Sequence, residues 1–150
     1  CNELNGTFFY SSNFSLGVNL FFEINRKLAE LMASRTEYKV EMTEVHHIHK
    51  LDAPSGTAIT LANTIINNSD YKGWSLDQNK AEDNIYIDAK RIDNIPGTHT
   101  VSYKSNIDDI EIKHTAHSRE GFALGAVVAA EWIIDKKGIF SMKDVLKLTN

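Results

Sequence analysis

Residues 45–58 read VHHIHKLDAPSGTA, and within them His46, His47, His49 and Lys50 crowd three imidazoles and an ammonium into five positions. Imidazole titrates near neutral pH, and a lysine can hold a carboxylate or deliver a proton, so these side chains suit acid–base work on an anionic molecule. Pro54-Ser55-Gly56-Thr57 follows directly. There the proline preorganises the entry, the glycine permits close backbone approach, and two hydroxyls stand beside the unpaired N–H groups of a helix start. A terminus of this kind binds anions. Together the two halves point to a small acid, with more than one carboxylate, held at a helix N-terminus while an adjacent His or Lys handles the proton.

Each half also has an ordinary reading. Ser-Gly-Thr ahead of a helix serves equally well as a cap. Histidines at i and i+2 ligate zinc only with a further protein ligand, so the spacing alone names no metal site and no metal is expected. A histidine cluster at a strand end can also be solvated and idle.

The elements that must position these groups are legible as periodicities. Val18, Phe21, Phe22, Leu28, Leu31 and Met32 recur at helical spacing, with Ser15 placed to cap. In 38–45, Tyr38, Val40 and Met42 alternate with Lys39, Glu41 and Thr43, which predicts a strand ending at the histidines. TAITLANTII predicts a second helix that begins at the Ser-Gly-Thr turn. Residues 85–92, 99–105 and 109–118 alternate and predict three further strands joined as hairpins. Segment 120–135 is Ala-rich and apolar on nearly every side, and Ser141 with Asp144 marks the start of a last short helix. This order predicts an α+β fold, a mixed, mainly antiparallel four-stranded sheet with helices on one face and subunit contacts covering the other.

Composition narrows the function class. The chain has 150 residues, 42% of them hydrophobic, which is enough for one core. Its net charge of −4 comes from interspersed acids and bases, so nothing resembles a nucleic-acid face. The most apolar run, 122–134, is too short to cross a membrane and contains Glu131. Cys1 is the only cysteine, so no intrachain disulfide can form. A chain that starts at Cys is expected to be either part of a longer polypeptide or a lipoprotein carrying lipid on that residue.

HHIHKLDAPSGTA resembles the substrate-site signature of the dihydrodipicolinate reductase (4-hydroxy-tetrahydrodipicolinate reductase) family, roughly HHxxKxDAPSGTA. SSNFSLGVNL at 11–20 is similar to the family's hinge segment, GTHTVSY at 97–103 to its Gly-Glu-His strand, and HTAHSREGFALGAVVAAEWI with GIFSMKDVL to its C-terminal end. One departure is Thr98, where the family has glutamate. A larger one is that no glycine-rich dinucleotide-binding unit is legible, so the chain looks like a C-terminal portion without the cofactor domain.

The resemblance implies a reductase of lysine and diaminopimelate biosynthesis that transfers hydride from NADH or NADPH to 4-hydroxy-tetrahydrodipicolinate. It implies that His46 is the acid–base histidine and Lys50 the proton donor. His47, Ser55, Gly56 and Thr57 would bind the substrate, and Ser11, Ser12, Asn13 and Phe14 would touch the nicotinamide side of the cofactor. Arg119 corresponds to a family arginine near the active site. Residues 15–118 would form the substrate-binding and oligomerisation domain, with 1–14 as hinge and 119–150 returning to the cofactor domain. A cytoplasmic homotetramer or dimer is implied, inactive as this chain alone. The competing expectation is a noncatalytic dicarboxylate-binding or assembly module, in one version a lipoprotein.

Overall fold

Strand β2 (Lys39–His46) shows how the sequence sets the layers. Its even-numbered residues Val40, Met42, Glu44 and His46 are buried and its odd-numbered residues are more open, as a strand with one covered face requires. The computed structural model describes residues 1–79 and 83–148. The chain divides into two compact units, one formed by Cys1–Glu23 with Ser118–Asn150 and the other by Ile24–His117. Helix α1 (Leu16–Met32) passes from the first into the second.

The second unit holds a five-stranded sheet. After β2 come helix α2 (Gly56–Ile66), β3 (Gly73–Ser75), β4 (Asn84–Arg91), β5 (Gly97–Lys104) and β6 (Asp109–Ala116). The spatial order is β3-β4-β2-β5-β6. β2 pairs parallel with β4 and antiparallel with β5, β5 pairs antiparallel with β6, and β3 pairs parallel with β4. The α+β class and the mixed sheet with predominantly antiparallel pairing are as the sequence predicts. Two details differ. A fifth strand, β3, is present, and β4 and β5 form no hairpin because β2 lies between them. Helix α2 makes the crossover that a parallel β2–β4 pair needs.

One sheet face carries the core. Val40 opposes Tyr103, Met42 opposes Val101 on one side and Ile87 on the other, and all are buried. Leu61, Ala62 and Ile65 of α2 and Ala29 of α1 are buried as well. Asn25 on α1 donates its side-chain N–H to the carbonyl of Leu61 at 3.1 Å, tying the two helices together. The opposite face presents Glu41, Thr43, Thr98 and Thr100, each partly exposed.

In the first unit, β1 (Thr7–Phe9) pairs parallel with β7 (Gly138–Phe140), a pair the sequence reading missed. Helix α3 (Glu120–Trp132) packs so closely that a side chain at Gly125 would meet the carbonyl oxygen of Phe14 at 1.8 Å. Its outer positions Leu124 and Val127 are 59% and 54% exposed. Helix α4 (Met142–Val145) starts with the expected capping box between Ser141 and Asp144. Residues 80–82 of the expected substrate domain and 149–150 of the expected C-terminal segment lie outside the described residues.

Candidate active site

The histidine cluster sits where β2 ends. His46 closes the strand, and its carbonyl accepts the Ile92 N–H at 2.8 Å, so the loop that follows starts from a fixed point. Lys50 N–H donates to the His47 carbonyl at 3.1 Å, turning the chain back toward α2. His49 is exposed, and His47 is half-buried with its ring 6.3 Å from that of His49.

At the other end of the loop, Ser55 caps α2. Its hydroxyl accepts the Ala58 N–H at 3.1 Å and its carbonyl accepts the Ile59 N–H at 3.0 Å. Four N–H groups at a helix start lack intrahelical partners. Of these, the Ala58 N–H goes to the Ser55 hydroxyl and the Ser55 N–H to Glu44, and the N–H groups of Gly56 and Thr57 are left open among the described residues. Gly56 is exposed, with free space where a Cβ would stand. A helix terminus with open N–H groups is therefore present, but Ser55 itself is buried and turned inward. Its N–H donates to both oxygens of Glu44 at 3.1 and 3.0 Å, and its hydroxyl lies 3.0 Å from Nε2 of His99.

Glu44, Arg91 and His99 are the residues that the sequence reading overlooked as site residues. Glu44 is fully buried, and Arg91 reaches its Oε1 from β4 at 3.2 Å. His99 stands opposite Glu44 in the β2–β5 ladder, with its ring 5.0 Å from that of His46. One signal could have found Glu44: the alternation of Val40 and Met42 continues through Glu44, which puts a carboxylate on an apolar face where it must have partners.

Both inner histidines are kept neutral. Burial holds the His99 pKa down to about 4, and the neighbouring His46 pushes the same way. His46 is also lowered, first by burial. Glu44, 3.5 Å from its Nδ1, pulls in the opposite direction without winning. The Nδ1 atoms of both rings are buried and have no hydrogen-bond partner among the described residues, so protonation of His99 would enclose an unsatisfied donor. Lys50 supplies the cation. Its ammonium is paired with Asp52 at 2.7 and 2.8 Å, and that bond holds the Asp52 carboxyl below its usual range.

Glu44, His46 and His99 could between them offer three ligand atoms to a metal, all within 4.8 Å of one another. Arg91 and the Ser55 N–H already occupy the carboxylate, and the Ser55 hydroxyl occupies His99. Glu44, Ser55, Arg91 and His99 are thus joined in a hydrogen-bonded network, with the two histidine Nδ1 atoms outside it.

Ser11, Ser12, Asn13 and Phe14, expected at the cofactor, lie in the other compact unit. They form a tight turn in which the Ser11 hydroxyl donates to the Asn13 carbonyl at 2.6 Å and Asn13 Oδ1 accepts the Ser15 N–H at 2.9 Å. Phe14 stacks on Phe9 with ring centres 5.7 Å apart. The described residues contain no glycine-rich turn between strand and helix that would cradle a dinucleotide. Arg119 is exposed at the start of α3.

Comparison with known proteins bears on this geometry. The family described as Dihydrodipicolinate reductase, C-terminus, matches residues 17–146. The 4-hydroxy-tetrahydrodipicolinate reductase of Christiangramia forsetii is 62% identical over 97% of this chain and 61% of its own length. That of Methanosarcina barkeri is 44% identical over 92% of the chain and 53% of its own length. The chain thus spans little more than half of these relatives. Among solved structures, a dipicolinate-bound dihydrodipicolinate reductase from a Paenisporosarcina species superimposes with a TM-score of 0.66 at 23% identity, covering 91% of this chain and 53% of that one. The fold is the same.

Proposed function

Because the chain belongs to the dihydrodipicolinate reductase family by its C-terminal part, we propose that it is the substrate-binding and proton-delivering portion of a 4-hydroxy-tetrahydrodipicolinate reductase, acting in lysine and diaminopimelate synthesis in the cytoplasm. One observation carries the reading. A single loop bears His46, His47 and Lys50 at one end and the open N–H groups of Gly56 and Thr57 at the other, a layout that suits a diacid with two carboxylates to hold.

In this reading one carboxylate lies on the α2 terminus through Gly56 and Thr57, and the other meets Lys50 and His47. NADH or NADPH, held mainly by residues other than these, supplies the hydride. Ser11, Ser12, Asn13 and Phe14 contact its nicotinamide end. The 4-hydroxyl leaves as water to give a ring carbon–carbon double bond, and hydride addition at one of its carbons must be matched by a proton at the other. Burial leaves His46 neutral near pH 7, so Lys50 is the cation that donates, and solvent water reprotonates its amine by way of the neutral His46 imidazole. Asp52 holds the Lys50 ammonium until a substrate carboxylate takes its place. The Thr43 and Thr100 face of the sheet is covered by neighbouring subunits in a homotetramer or dimer, and the chain alone turns over no substrate.

Calorimetric titration with pyridine-2,6-dicarboxylate tests the binding claim. Saturable one-site binding that disappears in Lys50→Ala is expected. Binding that survives this change unaltered, or no binding by the unaltered chain, contradicts it.

A further inference from the structure

We propose that Glu44 and Arg91 form a positioning pair for the diacid site, one that staples the loop of residues 50–55 to the ends of β2 and β4 and sets the charge around His46. The inference rests on the functional reading above.

Glu44 is fully buried, and an isolated carboxylate there would be strongly unfavourable. Its partners are local to the site: the Ser55 N–H at both oxygens and Arg91 Nη2 at 3.2 Å. Arg91 then fans over the same loop. Nη2 also donates to the Asp52 carbonyl at 2.7 Å, Nε donates to the Lys50 carbonyl at 3.3 Å, and Nη1 turns back to the Lys90 carbonyl at 2.7 Å. Arg91 is the register partner of His46 across the parallel β2–β4 pair. The two charges therefore grip the backbone at Lys50, Asp52 and Ser55, which are the points that aim the ammonium and the helix terminus.

A stabilising role alone explains this poorly. A buried ion pair contributes less than well-packed apolar side chains of the same volume, whereas removing one partner leaves a costly charge behind. The hydrogen bonds also go to the loop and not to the apolar core. The charged and titratable groups facing His46 are Glu44, Lys50, Arg91, His47 and His99. Glu44 favours the protonated imidazole and Arg91 disfavours it. Loss of one therefore moves the His46 titration down, and loss of the other moves it up.

The test uses the 150-residue chain with Glu44→Gln, Arg91→Met and both together, and Ile87→Val, a buried residue opposite Met42, as a core control. His46 titration is followed by NMR of labelled histidine and pyridine-2,6-dicarboxylate affinity by calorimetry. The expected result is a lower His46 pKa in Glu44→Gln and a higher one in Arg91→Met. Affinity should fall about ten- to a hundredfold in each, with the double variant no worse than the poorer single one. The control should lose thermal stability and keep both readouts. Unchanged affinity in the folded variants, or shifts of one sign in both, overturns the pair. If Glu44→Gln does not fold, Arg91→Lys decides, because it keeps the charge and loses the fork: weakened binding with little His46 shift is expected, and full binding overturns the proposal. If the unaltered chain binds no diacid, the functional reading fails, and the opposed His46 shifts alone decide the positioning role.

Discussion

Glu44 and His99 are register partners across the antiparallel β2–β5 ladder, with Nε2 of His99 3.7 Å from a Glu44 oxygen and 3.0 Å from the Ser55 hydroxyl. Directly below them on the same face, Met42 opposes Val101 in a dry core. The sheet thus changes from apolar packing to a polar network within one step of the alternation. That step marks where the core ends and the candidate site begins.

Stability should depend on pH through the two inner histidines. Their folded pKa values lie below the unfolded value near 6.5, with His99 at about 4, so the unfolded chain binds more protons in that interval. The contribution is fully present above pH 6.5 and is lost as pH falls toward 4. For His99 it is on the order of 3 kcal/mol. Urea unfolding midpoints measured from pH 7.5 to 4.5 should decline through this window, and a flat profile would contradict the assignment of buried neutral rings.

Two glycines test close packing in different places. An added methyl at Gly97 would stand 3.1 Å from Nε2 of His46, so Gly97→Ala should disturb the imidazole and weaken diacid binding. At Gly125 the same change meets backbone oxygen at 1.8 Å, and Gly125→Ala should cost at least the roughly 1 to 3 kcal/mol typical of overpacking. Thermal melts and ligand titrations of the two variants should separate these effects. A Gly125→Ala chain as stable as the parent would count against the packing of α3.

Tyr103 offers a change with the opposite sign. Its ring is core, but its buried hydroxyl has no hydrogen-bond partner among the described residues, and burial raises its pKa to about 12. Removing an unsatisfied hydroxyl relieves a desolvation cost, so Tyr103→Phe should be neutral or stabilising by about 1 kcal/mol. A marked loss in chemical denaturation would reveal a partner for that oxygen.

Assembly is the next expectation. The half-open face of Thr43, Thr98 and Thr100 and the exposed apolar positions Leu124 and Val127 both favour association of copies. Light scattering should give the mass of a tetramer or dimer. A strictly monomeric mass at high concentration argues against subunit contacts on this chain.

Much of this was legible in the sequence. The alternation in 38–45 and the helical spacing after Thr57 located β2 and α2 closely, and the capping box at Ser141 held. The motif placed His46 at a strand end and Gly56 at a helix start as expected. What escaped reading were the three-residue strands β1, β3 and β7, too short to show a period, and the parallel pairing of β4. Local turn signals cannot report that a later strand returns beside an earlier one. The inward direction of Ser55 escaped for a related reason. It depends on Glu44 and His99, which only the sheet register brings together.

The central claim is that the basic loop and the α2 terminus hold one diacid between them, and a crystal structure of this chain with pyridine-2,6-dicarboxylate tests it most directly. The account predicts one carboxylate on the N–H groups of Gly56 and Thr57, and the other within hydrogen-bond reach of the Lys50 ammonium, released from Asp52. A ligand bound elsewhere, or one that touches the helix terminus while Lys50 keeps its Asp52 partner, would contradict it.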